Sequence, residues 1–557
     1  MSPESDRQRD VGRAGAAVVL GVLILVATAG WAINPNDDDD TKRPANAQKN
    51  AQKSAQKKAP PEPRGWAPTA DEAAEARSLA AELSLKELAG QLIVARSFSE
   101  EDSLALVRKQ HFAGVMVTSP RILEVTTDDP LSEVKAFNRR LHEAGDERGV
   151  PVMVPIDQEG GLVARLRDPL TTFPTFMSAG AAIAGDPSRG AATVTAATRA
   201  SGAELRAAGY NAVFAPDGDT TVGPADPIIG SRSAGSDPSI VSKAVVAAID
   251  GYSEAGLISA VKHFPGHNVT TDSHRDLPVL GSDRARLRSH DLPPFEAAIA
   301  EQAPGIMTGH LDVPLIDKGV PASLSRKVVT GGLRKDLGFD GLVISDSLGM
   351  GPVMSRYPGG SSTVAAIKAG SDLALMPADN LQAHKAVLAA LKSGEIPEQQ
   401  ARDSATRVIG YLLHSDASPR LPGEPGSHGE QSEALTAGAL TVLASPCPIP
   451  PVEGVRPFGS AEAVASFRTA AKEEGLPVDT GTSVAFLGPG SAGAVADVVV
   501  STDVPYGLAR STAPTKIALY GQGVPAMRAL VKRLMGKAGA PGRLPVDGTG
   551  LTRVEAC

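Results

Sequence analysis

Short apolar runs recur eight times between residues 91 and 376, each followed by a polar cluster and then a stretch of helical spacing. The runs are Gln91–Ala95, Gly114–Thr118, Val152–Ile156, Ala212–Ala215, Ser259–His263, Gly305–Thr308, Leu342–Ser345 and Leu373–Met376. Runs this short, bounded by turn residues, read as buried strands. Helical stretches lie between them, among them Ser132–Ala144, Ser239–Ala255, Pro293–Glu301 and Thr363–Ala369, and Asp71–Leu88 leads into the first strand. Eight strands alternating with helices predict an α/β fold, a (β/α)8 TIM-type barrel over residues 71–414. A doubly wound sheet is the alternative.

The pattern changes on both sides of this block. Residues 415–431, rich in Pro, Gly and Ser, predict an interdomain linker. Residues 432–557 resume the alternation: a helix over Ser432–Ala439, strands over Leu440–Leu443, Val484–Leu487, Asp497–Ser501 and Lys516–Tyr520, and a helix over Pro525–Met535 with Pro at its first position. They predict a smaller α/β domain. Toward the N-terminus, residues 14–33 carry no charge and number twenty, enough as a helix for about 30 Å of hydrocarbon. Arg7, Arg9 and Arg13 in segment 1–13 predict a start held in the cytoplasm and a body held outside the cytoplasmic membrane. The alternative is a signal peptide cleaved after Ala29, since Ala27-Thr28-Ala29 fits a small-x-small site. Residues 34–70, with an acidic block at Asp37–Asp40, three Ala-Gln-Lys repeats and a Pro-rich end, predict a disordered linker.

Charge narrows the function class. The net charge is −8; ten Lys/Arg and eight Asp/Glu fall in residues 1–66, which leaves −10 on the body. So acidic a body argues against nucleic acid. Cys447 and Cys557 form no metal-binding pattern, and their spacing decides nothing about a disulfide.

Candidate chemistry concentrates in Lys262–Pro278, where three His, one Lys and two Asp follow the fifth strand and Pro265-Gly266 interrupts regular structure. Three readings fit. The loop is a solvated connection; or His263 and His267 hold a metal; or Asp272-x-His274 is a dyad in which the carboxylate orients an imidazole that gives and takes a proton near neutral pH. Pro265-Gly266 breaks the helix that an i, i+4 ligand pair needs, and Lys262 opposes a bound cation, so no metal is expected. A barrel offers a further test, because its active-site residues follow strand C-termini. Strand three ends in Asp157-Gln158-Glu159-Gly160-Gly161 with Arg165 beyond it, strand four leads to Arg232, strand five to Lys262-His263, strand six to His310 and strand seven to Asp346.

Lys-His-Phe-Pro-Gly-His followed by Asp-Ser-His and Leu-Pro resembles the signature of family 3 glycoside hydrolases, in their bacterial β-N-acetylglucosaminidase branch. Four residues, Asn268 to Thr271, separate Gly-His from Asp-Ser-His where the family pattern has five. The resemblance covers roughly residues 76–414, and the second domain resembles the family's α/β sandwich domain in a small form. It implies Asp346 as nucleophile, the Asp272–His274 dyad as general acid/base, Asp157 accepting from sugar hydroxyls, and Arg165, Arg232, Lys262 and His263 donating to them. Ala234 stands where many relatives carry an aromatic residue. The chemistry fits the residue types: a carboxylate stabilises and then bonds the cationic anomeric carbon, and a proton is delivered and later withdrawn at the other face. Ser345 and Ser347 flank Asp346, so no second acid is placed to steer a substrate acetamide, and an enzymic nucleophile is expected.

The expectation is a retaining exo-β-N-acetylglucosaminidase, without cofactor and monomeric, anchored at the cell membrane with an extracytoplasmic body and acting on cell-wall or chitin-type oligosaccharides. The alternatives are a β-glycoside phosphorylase, since a His acid/base repels phosphate less than a carboxylate would, and a non-catalytic carbohydrate-binding protein.

Overall fold

Thr69-x-x-Glu72 and Ser84-x-x-Glu87 each close a capping box, in which hydroxyl and carboxylate satisfy one another's backbone amides. The second box explains a departure from the sequence expectation. Leu83 is extended, and the helix expected over Asp71–Leu88 is two helices, Ala70–Glu82 and Leu85–Gly90. This computed structural model describes residues 66–117, 129–269, 271–273, 275–444, 450–491, 493–547 and 549–551. The expected membrane segment 14–33, most of the linker before the barrel, both cysteines and His274 lie outside the described residues.

Eight parallel strands follow: β1 (Ile93–Arg96), β2 (Gly114–Met116), β3 (Pro155–Ile156), β4 (Ala212–Val213), β5 (Ile258–Phe264), β6 (Gly305–Thr308), β7 (Leu342–Ser345) and β8 (Ala374–Leu375). Each overlaps a predicted run. They pair as a three-stranded sheet, β8-β1-β2, and a five-stranded sheet, β3 to β7 in order. Parallel bridges Gly114–Met153 and Ile344–Leu373 join the sheets at both seams, so the strands curl into one ring. An open doubly wound sheet is thereby excluded.

Alternation within the strands divides the core into two layers. Val94, Met116, Met153, Ala212, Ile258, Ala260, Met307, Leu342, Ile344 and Leu375 share an apolar cluster inside the ring. Their neighbours Ile93, Ala95, Val115, Val261, Ile306 and Val343 belong instead to the cluster shared with the surrounding helices. Tyr411 and Leu412 of helix Glu398–Ala417 belong to the same cluster, and Trp66 packs against it.

The stretch expected as a linker is helical at both ends. Helix Glu398–Ala417 runs into it, and helix Gly429–Ala439 begins inside it. That second helix packs on barrel helices Met177–Gly185 and Pro187–Ala207. Beyond it a five-stranded sheet has the order β9-β13-β12-β11-β10, from β9 (Thr441–Ala444), β10 (Val455–Gly459), β11 (Thr482–Leu487), β12 (Val498–Ser501) and β13 (Thr515–Ala518). Strand β9 runs antiparallel to β13 and the other pairs are parallel. Sequence reading missed β10 and the helix Ala461–Glu474 after it. Pro457 masks the strand, and it fits because β10 is the sheet's edge, where a missing N–H removes no ladder bond.

Candidate active site

The inward register of the ring places the site. Val94, Met153, Ala260 and Ile344 face the interior, and register brings in Arg96 two residues beyond Val94, Asp157 four beyond Met153, Lys262 two beyond Ala260 and Asp346 two beyond Ile344. All four line a cavity of about 410 Å³, shared with Glu159, Arg165, Ile228, Arg232, His263, His267, Ser273 and Ser347. Six of the eight residues expected from sequence meet there: Asp157, Arg165, Arg232, Lys262, His263 and Asp346. Asp272 is not in the wall, although its neighbour Ser273 is; its carboxylate lies 3.8 Å from Arg275. His274 lies outside the described residues.

One wall is a lattice of ion pairs. The buried Lys262 ammonium donates to Asp157 Oδ1 at 2.9 Å and reaches Glu159 Oε1 at 2.6 Å. Arg232 donates to both Glu159 oxygens at 2.8 Å, a bidentate fork. Arg165 stands 3.7 Å from the second Asp157 oxygen. Burial alone would push the Glu159 carboxyl up and the Lys262 ammonium down. The Arg232 and Lys262 charges overcome it for Glu159, which is held well below the ordinary glutamate range, and Asp157 and Glu159 raise Lys262. Glu159 sits on a hairpin, Gln158–Gly160 with Val163–Ala164, that turns on Gly160 and Gly161 at φ +96° and +54°. A Cβ on Gly160 would fall 2.5 Å from the Pro174 carbonyl oxygen, so a side chain there would lift the hairpin and Glu159 with it.

Behind this wall the buried Asp219 carboxylate accepts the His263 ring Nδ1–H at 2.7 Å and the amides of His263 and His267 at 3.0 and 2.7 Å. The bond at Nδ1 leaves Nε2 of His263 for a ligand. Burial pushes Asp219 up, but the His263 and His267 imidazoles and these donors bring it below its ordinary value. Asp217 is pushed well above its own by burial and the neighbouring Asp219 carboxylate. Asp217, Asp219 and His263 bring their ligand atoms within 4.8 Å of one another, but Arg232 lies 3.5 Å from Asp217, and a cation there opposes a metal ion. His267 is buried and pushed down to about 4 by that burial. Neither of its ring nitrogens has a partner among the described residues.

Across the cavity, the Asp346 amide donates to the Thr308 carbonyl and its Oδ1 accepts the Ser347 amide at 2.7 Å. His310 is fixed by Ser323 at 2.6 Å and by the Ser347 carbonyl at 2.9 Å. Burial raises the Asp346 carboxyl, but the His310 and His263 imidazoles, the Ser347 amide and Lys262 together hold it below the ordinary aspartate value. A partly exposed carboxylate kept ionised opposite fixed hydrogen-bonding groups can attack an electrophilic carbon.

Sequence reading assigned no role to Glu159, Asp219 or Arg96, and weighed His267 only as a metal ligand. Glu159 and His267 lie within quoted motifs, and Asp219 lies in none. Arg96 ends β1, and the signal for it was the same inward register that yields Asp346. The Arg96 guanidinium lies against Gly349, where an added Cβ would meet Nη2 at 2.6 Å.

Comparison with known proteins gives four findings of one kind. The model of the glycosyl hydrolase family 3 N terminal domain matches residues 84–410. Beta-hexosaminidase A of Pseudoalteromonas piscicida is 36% identical over 322 residues, 52% of this chain and 53% of that protein, so this chain accounts for about half of that relative's length. Beta-hexosaminidase LpqI of Mycobacterium tuberculosis is 32% identical over 356 residues, 61% of this chain and 86% of that one. Among solved structures, a glycoside hydrolase family 3 beta-N-acetylglucosaminidase from Paenibacillus sp. str. FPU-7 superposes with a TM-score of 0.73 at 28% identity, covering 85% of this chain and 100% of the other.

Proposed function

The chain belongs to glycosyl hydrolase family 3, and we propose that it is a retaining exo-β-N-acetylglucosaminidase that removes terminal β-linked N-acetylglucosamine from cell-wall or chitin-type oligosaccharides. The observation that carries this reading is one cavity in which Asp346 faces the Asp157–Lys262–Glu159–Arg232 lattice. The names of the relatives support the sugar. In this reading Asp157, Arg165, Arg232, Lys262 and His263 hold the glycone hydroxyls. Asp346 attacks the anomeric carbon while His274, oriented by Asp272, protonates the leaving oxygen. Water then enters, His274 takes its proton, and the Asp346–sugar bond breaks with release of the sugar. Residues 14–33 serve as a membrane anchor that leaves the body outside. That segment lies beyond the described residues, among which no helix is long and apolar enough to cross a membrane.

Hydrolysis of a panel of nitrophenyl β-glycosides tests the activity. Turnover of the N-acetylglucosaminide well above the glucoside and galactoside, unchanged by added phosphate, is the expected result. A preference for another sugar, or a phosphate requirement, refutes it. For the anchor, a mature N-terminus starting near Gly30 refutes membrane retention and leaves export intact.

A further inference from the structure

Every side chain of the cavity wall lies between Arg96 and Met376, so among the described residues the second domain contributes none. It nevertheless grips the loop that carries Arg232. Ser231, in the turn Gly230–Arg232, donates its hydroxyl to Asp503 Oδ1, and both residues are buried. Asp503 lies two residues past β12 in a braced turn: Thr502 donates its amide and its hydroxyl to the Leu487 carbonyl, and the Ser501 hydroxyl donates to the Val504 carbonyl at 2.7 Å. Four residues after Arg232, the Ser236 amide donates to the Pro545 carbonyl at 2.9 Å. A Cβ on Gly235 would fall 2.4 Å from that same oxygen. Within the barrel, the Ser233 hydroxyl donates to the Asp219 carbonyl at 2.6 Å, and Asp226 accepts the Ile228 and Ile229 amides. The second domain thus holds the loop on both sides of Arg232, whose fork must meet Glu159.

We propose that Asp503 is a positioning residue for sugar binding: anchored on the second domain's sheet, it fixes Ser231 and so aims Arg232 into the glycone wall. This rests on the reading that Arg232 holds the sugar. A buried carboxylate that accepts a hydroxyl from the residue next to a working arginine restricts the arginine's backbone, not its charge. Its loss therefore weakens substrate binding more than turnover.

The test uses the full chain, with Asp503→Ala, Asp503→Asn and Ser231→Ala assayed on nitrophenyl β-N-acetylglucosaminide. One lost buried hydrogen bond predicts a KM raised roughly tenfold for Asp503→Ala and Ser231→Ala, with kcat held within about twofold. Asp503→Asn, whose amide oxygen still accepts, recovers most of the loss. In an Arg232→Ala background, Asp503→Ala adds nothing further. A KM unchanged in Asp503→Ala overturns the proposal, as does an effect that adds in full to that of Arg232→Ala. If Asp503→Ala does not fold, Ser231→Ala carries the same expectation and the same refutation. A wild type without turnover refutes the activity rather than this proposal. Hydrogen exchange then decides: faster exchange in Asp503→Ala confined to residues 226–236 supports it, and unchanged exchange there overturns it.

Discussion

The two sides of the cavity are built differently. On the side of the ion-pair lattice, Lys262 and Glu159 each keep 3% of their side-chain surface exposed and Arg232 keeps 19%, each contacts at least two charged partners, and their elements are strands or loops pinned from behind. On the side of Ser273, the neighbouring Asp272 keeps 30% of its side-chain surface exposed and Arg275 keeps 88%. There the backbone is tied at its two stems. Asn268 and Ser282 both donate to the buried Asp291 carboxylate, Ser282 at 2.9 Å. The contrast separates two demands. Recognition of several hydroxyls needs donors whose geometry is set before substrate arrives, and a buried ion lattice supplies it at the cost of desolvating each charge. Proton transfer needs one group with a pKa near the working pH, which an imidazole in water has.

Removing the Asp346 carboxylate should break the site most completely. Asp346→Asn is expected to lower kcat roughly 10⁴-fold or more with little change in melting temperature, since its oxygen can still accept the Ser347 amide. Steady-state kinetics and thermal unfolding check it. On the loop side, His274→Ala should slow hydrolysis roughly 10²–10⁴-fold for poor leaving groups and less for activated phenyl glycosides. An equal loss across leaving groups would remove His274 from the acid role.

The lattice should answer in stability as well as binding. Glu159→Gln leaves the buried Lys262 and half-buried Arg232 charges with one fewer anion, so unfolding stability should fall by about 3 kcal/mol together with a rise in KM. Chemical denaturation checks the first and kinetics the second; if only the kinetics change, the lattice is not structural.

The smallest effect is the pH signature. Glu159 has a folded pKa below its ordinary 4.5, so the unfolded chain takes up a proton first as pH falls. Its contribution is fully present above about pH 5 and is lost progressively below about 4.5. The stability gap between wild type and Glu159→Gln should therefore be flat from about pH 7 to 5 and close in acid. A gap that widens in acid contradicts the sign.

The fold was legible because burial on both faces of a parallel strand leaves short unbroken apolar runs, and all eight overlapped real strands. Asp346 and Lys262 were legible because the apolar register simply continues into them. The same register points to Arg96, but no neighbouring motif drew attention to it. Asp219 was hidden for a different reason: its partners, His263 and His267, lie 44 and 48 residues away, and only the pairing of β4 with β5 brings them together. Strand β10 was obscured by Pro457, whose tolerance depends on an edge position that sequence does not display. The grip of Asp503 on Ser231 spans 272 residues and has no local pattern at all.

The central claim is that Asp346 forms a bond to the sugar. A slow, activated fluorinated N-acetylglucosamine-type substrate, incubated with the full chain and followed by intact-mass and peptide mapping, tests it directly. The expected result is a one-to-one adduct of the glycosyl mass on the peptide that contains Asp346, absent from Asp346→Asn. An adduct on a different residue, or turnover of the reagent with no adduct at any time, would contradict it.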